Sequence, residues 1–149
     1  MLGRFWLGQL PVDPFALARA LGVRADCVEL DDDTFGALIK SYGQVPKIVV
    51  NAGNNRARRR FTCAHELGHY ARRGDKEEQY ETVDYRSTAS INGRYSAEIY
   101  ADEFAACLLM PEAEVRALHE EGLFDWEMAK RFAVSRSAMR RRLRRLGLS

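Results

Sequence analysis

Two histidines four residues apart, with a glutamate directly after the first, are the tightest constraint in this 149-residue chain: His65-Glu66-Leu67-Gly68-His69. On an α-helix, positions i and i+4 share a face, so both imidazoles can reach one ion if the stretch is helical. Neutral imidazole nitrogens suit Zn²⁺, and three protein ligands with one open position are the usual catalytic arrangement. The metal brings the pKa of its water toward ~7, and a nearby carboxylate takes the proton as that water attacks a carbonyl. Glu66 is placed for that base role. By residue frequency alone such a pentapeptide arises in roughly one chain of this length in a few hundred, so the assignment needs a third ligand.

A long metzincin-type motif would place another histidine soon after His69, and residues Tyr70 to Gly93 contain none. The alternative is an acid on a second helix. Glu98-Ile-Tyr-Ala-Asp102 offers two acids four apart on one helical face. Glu98 is the predicted third ligand. Asp102 is the predicted outer partner that bonds a ligating imidazole and sets its tautomer, unless it caps or pairs locally. Glu103 is the rival ligand, but it points about 100° away from Asp102 on an ideal helix.

The rest of the chain reads as a single α+β domain over 1–149, with a small sheet of about three strands near the N-terminus and a helical body. Apolar residues make up 46% and charged residues 30%, a globular balance and enough for one core. Pro11 to Val23 predicts a short helix capped by Asp13. Strands are expected over Asp26–Leu30, Phe35–Tyr42 and Lys47–Asn51, the last (KIVVN) rich in β-branched residues. After the turn at Asn51–Asn55, a helix is expected through Ala71. Asp75 to Gly93 reads as a long, substrate-facing loop with room for a short strand. Helices then follow from Ser96 to Pro111, over Glu112–Glu120, over Asp125–Phe132 and over Arg136–Leu146. Cys27, Cys63 and Cys107 form no CxxC pair and are expected to be small core residues in a reducing compartment. With no apolar run near the roughly 18 residues of a membrane helix and no signal-type start, a soluble, cytoplasmic protein is expected.

Arg60-Phe-Thr-Cys-Ala-His-Glu-Leu-Gly-His69, followed by Glu98-x-x-Ala-Asp102-x-Phe-Ala-Ala-x-Leu-Leu-Met-Pro111, resembles the ImmA/IrrE family of metallo-endopeptidases. So do the KIVVN strand, the opening Pro11-Val-Asp-Pro14 and the ending Ala129-x-x-Phe-Ala-Val-Ser135 with Arg142-Leu143 and Leu146-Gly-Leu148. The resemblance implies a zincin-like helical body in which His65, His69 and Glu98 bind Zn²⁺ and Glu66 is the base. It also implies a narrow protein substrate, a helix-turn-helix repressor or antitoxin. Two positions depart from the family. Asp102 stands where asparagine is usual, and Tyr100 stands where many members carry another acid, which removes a competitor of Glu98.

Charge is concentrated at the end. From Trp126 onward eight arginines or lysines face one acid, a local net of +7 in a chain of net +2. Residues 125–149 have a helix-turn-helix pattern with an arginine-rich second helix, so a DNA-binding regulator is the rival class. A non-catalytic toxin- or antitoxin-type binding module is the third. Glu66 argues against that one, since a purely structural zinc site needs no base. The same helices occur in the resembling family, where they would pack within the domain, and DNA binding is not expected. An oxyanion donor is open among His119, Tyr70, Tyr95 and Tyr100. Arg56, Arg58, Arg59 and Arg60 are expected to form a solvated helix start with structural ion pairs.

Overall fold

A computed structural model describes residues 10–74, 78–86 and 96–149. Among these, six helices and one four-stranded mixed sheet make an α+β fold. Helix α1 (Pro14–Ala20) begins where the Asp13 carboxylate accepts hydrogen bonds from the amides of Phe15 and Ala16, and Pro14 occupies a first-turn position that needs no donor. Strands β1 (Arg24–Val28), β2 (Thr34–Lys40) and β3 (Lys47–Asn51) follow, then helix α2 (Arg56–Arg73) and strand β4 (Tyr80–Tyr85). Helices α3 (Ser96–Leu109), α4 (Glu112–Glu120), α5 (Asp125–Phe132) and α6 (Arg136–Arg145) complete the chain.

The spatial order is β1-β3-β2-β4, with β1 parallel to β3 and the other pairs antiparallel. Ile48 and Val50 of the interior strand β3 are fully buried, as is Leu38 of β2. Buried Asn51 holds the turns together. Its amide donates to the carbonyls of Asp31 (3.0 Å) and Thr34 (2.9 Å), and its carbonyl oxygen accepts from the amide of Gly53 (2.9 Å).

Strand β4 adds a fourth strand to the sheet, within the stretch read as a long loop with room for a short strand. Only Tyr80 and Asp84 of this strand are buried, so an inward-facing acid replaces the apolar alternation that betrays a strand. The rest of that stretch, 75–77 and 87–95, lies outside the described residues. Two of the three cysteines also correct the reading. Cys63 is buried, whereas Cys27 and Cys107 are exposed, on edge strand β1 and on the outer side of α3.

Two glycines set the spacing of the central layers. Gly36 of β2 lies so close to its surroundings that an added Cβ would sit 2.5 Å from the Val49 carbonyl oxygen and 2.7 Å from Thr62 Cγ2. Gly68 of α2 would place a Cβ 2.8 Å from Ala101 Cα and 3.0 Å from Phe104 Cβ of α3. The Thr62 side chain of α2 is therefore pressed against the sheet backbone at Gly36, and α2 meets α3 at backbone contact at Gly68.

The C-terminal pair α5–α6 joins the same core through Met128, Ala129, Phe132, Val134, Met139 and Leu143. Two buried arginines tie it down. Arg60 Nε donates to the Ala133 carbonyl (3.0 Å) and its Nη2 to that of Phe132 (3.2 Å), satisfying the end of α5. Arg142 Nε donates to the Met110 carbonyl (3.0 Å). The expected solvated arginine cluster is thus corrected at Arg60, which is buried, and at Arg58, whose guanidinium lies 4.3 Å from the Phe35 ring centroid.

Candidate metal centre

The middle of α2 is the most enclosed helical stretch of the molecule: every residue from Thr62 to His69 is buried. One turn is pressed onto the sheet by Gly36 and the next onto α3 by Gly68, so the polar side chains between them are confined to a narrow cleft. The first acid of α3, Glu98, reaches both imidazoles. Its Oε2 lies 2.9 Å from His65 Nε2 and its Oε1 3.1 Å from His69 Nε2, while the two Nε2 atoms are 3.2 Å apart. Three donor atoms within about one tetrahedral edge of each other form a ready cluster for one small cation. Asp102, one turn further along α3, has its Oδ1 2.8 Å from His65 Nδ1. Glu103 is turned away and pairs with Arg145.

Asp84 is the member that the sequence reading missed. Its carboxylate is buried, with Oδ2 4.0 Å from His65 Nε2, and with His65 and Glu66 it forms a second cluster of candidate ligand atoms. It sits opposite Gly36 in the β2–β4 ladder, beside a register shift between Thr34 and Gly36. Bulges of this kind often re-aim a side chain next to a site. A lone acid in a polar run carries no motif, and only the strand pairing reveals it.

Glu66 is completely buried, and neither of its carboxylate oxygens accepts a hydrogen bond among the described residues. Burial raises its pKa well above the ordinary carboxylate value, Asp84 and Glu98 push the same way, and only His65 opposes them. Burial likewise raises Asp84. At His65 burial disfavours the cation, but hydrogen bonds to Asp102 and Glu98 and the charges of Glu66 and Asp84 outweigh it and raise the pKa well above 6.5. Burial disfavours the Glu98 carboxylate, yet hydrogen bonds from both histidines hold its pKa down to about 2.

The sequence profile of the IrrE N-terminal-like domain, a peptidase family, matches residues 26–144. The chain belongs to this family. No curated protein matches it. As an IrrE N-terminal-like domain, the chain is a metallopeptidase type whose matched span runs from β1 into α6 and includes the whole cleft. Its C-terminal helices are thus largely part of the family domain. Of the other sequence candidates, His119 is exposed at the end of α4 and lines a groove with Phe124 and Trp126. Tyr100 is exposed beside Phe104, Tyr70 packs against the core, and Tyr95 lies outside the described residues. None of the described contacts of the His65–His69–Glu98 cluster includes them. No described helix is long and apolar enough to cross a membrane.

Proposed function

We propose that this chain is a zinc-dependent endopeptidase in which His65, His69 and Glu98 hold the ion, Glu66 is the general base and Asp102 orients His65. One observation carries the reading: a fully buried glutamate, unpaired at both oxygens, beside two imidazoles and a carboxylate gathered within 3.2 Å. A buried acid without a donor is costly as a structural element, and it fits a group kept ready for a reacting water. The donor set of two nitrogens and one carboxylate oxygen suits Zn²⁺. When bound, zinc acidifies water and polarises a peptide carbonyl.

The protein residues supply the remainder. Asp102 accepts the Nδ1–H of His65, which leaves Nε2 free to face the cluster. Glu66 takes a proton from the attacking water and returns it to the departing amine. Strand β4 ends the sheet, so among the described residues one of its edges has no strand partner, and this edge strand carries Asp84 into the cleft. An extended substrate chain could pair there through its backbone, which supports a protein substrate over a small molecule. The ImmA/IrrE resemblance narrows that substrate to a helix-turn-helix repressor or antitoxin, with cleavage in the cytoplasm.

Co-expression with a helix-turn-helix protein encoded beside the gene tests the reading. One discrete cleavage is expected, abolished by chelation and restored by zinc. Glu66→Gln should retain zinc but lower the rate by about 10²–10⁴-fold. Undiminished cleavage in Glu66→Gln would overturn the assignment.

A further inference from the structure

Against the cleft, on the far side of Asp102, lies a second cavity of about 130 Å³. Its apolar lining comes from Phe61, Ile99, Ala106, Met110 and Ala138, and its charged lining from Asp102, Glu103, Arg141, Arg142 and Arg145. Cofactor and small-molecule pockets run to roughly 300–1,000 Å³, so this one is the size of a single side chain. It adjoins the chemistry directly: Asp102 is both a wall and the partner of His65 at 2.8 Å, and Phe61 precedes His65 by one helical turn.

The charges of the lining do not balance. Asp102 is taken by His65 and Glu103 by Arg145. Arg142 is buried, and its described bond is to a neutral carbonyl, that of Met110. Arg141 has neither an ion pair nor a side-chain hydrogen bond among the described residues. By contrast, Arg136 and Arg140 of the same helix both pair with Asp125. Arg58 lies near enough to Arg141 for each to repel the other's charge. Two guanidinium groups, Arg141 and Arg142, without a counter-ion among the described residues, in a side-chain-sized cavity with an apolar lining beside them, match a carboxylate carried on a short aliphatic stem.

We infer that this cavity is a specificity subsite that receives an acidic side chain of the substrate, with Arg141 as its selecting residue. The inference rests on the peptidase reading for what the subsite serves, though the binding of an acidic side chain can be measured without catalysis. Arg141 is exposed on α6 and its side chain supports no described contact, so its replacement leaves the core intact.

The test uses a positional-scanning library of capped peptides with three full-length, zinc-loaded proteins. Wild type reports cleavage, while Glu66→Gln and Glu66→Gln/Arg141→Glu report binding. Glutamate or aspartate should be enriched at one position in both wild-type cleavage and Glu66→Gln binding. Arg141→Glu should reduce that preference by about 10–100-fold and shift it toward lysine or arginine. A swap of this sign cannot come from mere loss of structure. The subsite is overturned if the acidic preference survives Arg141→Glu unchanged, or if no acidic preference exists in either readout. Acidic binding that reverses with Arg141→Glu, without cleavage by wild type, would sink the peptidase reading and leave the subsite standing. Cleavage without charge preference would do the opposite.

Discussion

At the scale of single residues, the cleft is a set of charges that are satisfied only in combination. Glu98 is held down to about 2 against its burial by hydrogen bonds from His65 and His69, and His65 is held up against its burial by hydrogen bonds to Asp102 and Glu98. The sign of each matters for the metal-free protein. The Glu98 contribution to stability is present above its ordinary value of 4.5 and is lost as the pH falls toward 2. The His65 contribution is complete below its ordinary value of 6.5 and is lost as the pH rises through its higher folded value. On the proposed assignment, zinc bound through His65 displaces its proton. Uptake near pH 6 is therefore expected to release protons, with affinity climbing as the pH rises. Calorimetric titration of zinc in two buffers of different ionisation heat reads this directly, and equal heats in both would show His65 already neutral. Asp102→Ala should weaken zinc by about 10–100-fold, as loss of an imidazole's outer partner commonly does. Equal zinc affinity in Asp102→Ala would reduce Asp102 to a local surface partner. That His65 and His69 share one face and Glu98 and Asp102 another was legible in the sequence, because helical spacing decides it; that the two faces meet is a result of packing between α2 and α3. Asp84 was not legible, because its place depends on which strand pairs with β2.

At the scale of elements, the contact between α2 and α3 governs the site. Gly68 sits inside the HExxH pentapeptide, and no side chain could stand between it and the α3 backbone at Ala101. Gly68→Ala gains about 1 kcal/mol of helix propensity. The added Cβ meets backbone at 2.8 Å, which no rotamer change relieves, and overpacking of this kind costs about 1–3 kcal/mol. The net expectation is a protein little changed or modestly destabilised, as measured by urea unfolding, but clearly weaker for zinc in a chelator competition because Glu98 is pushed from the histidines. Unaltered zinc affinity would mean that α3 can slide without losing its ligand. Helix limits were read closely, since caps and proline are local signals; α4 and α5 match their expected spans. Strand β4 was legible only as room for a short strand. Of its two buried residues Tyr80 joins the core and Asp84 faces the polar cleft, which leaves no apolar alternation to read.

For the whole molecule, the question is why an arginine-rich pair of helices belongs to a peptidase domain. Its apolar face fills the common core, and Arg60, nine positions past the end of β3 and inside α2, caps α5 across more than seventy residues of chain. Arg60→Met removes the donors and leaves two carbonyls buried. The expected loss is about 1.5–3 kcal/mol in denaturant unfolding, with faster proteolysis beyond residue 124 in the folded protein. If stability falls by less than about 0.5 kcal/mol, within the range of ordinary surface changes, the C-terminal helices are held by packing alone.

Much about this chain follows from local rules: where helices start and stop, that two histidines face one way, that an acid four residues from another shares its face. Those outcomes depend on backbone geometry over a few residues, which every sequence carries with it. The sheet order, the entry of Asp84, the close approach permitted by Gly36 and Gly68, and the inward use of Arg60 and Arg142 arose only in the tertiary structure. Each requires partners far apart in the chain, and such pairings are chosen by the joint packing of the whole core rather than by any segment of it.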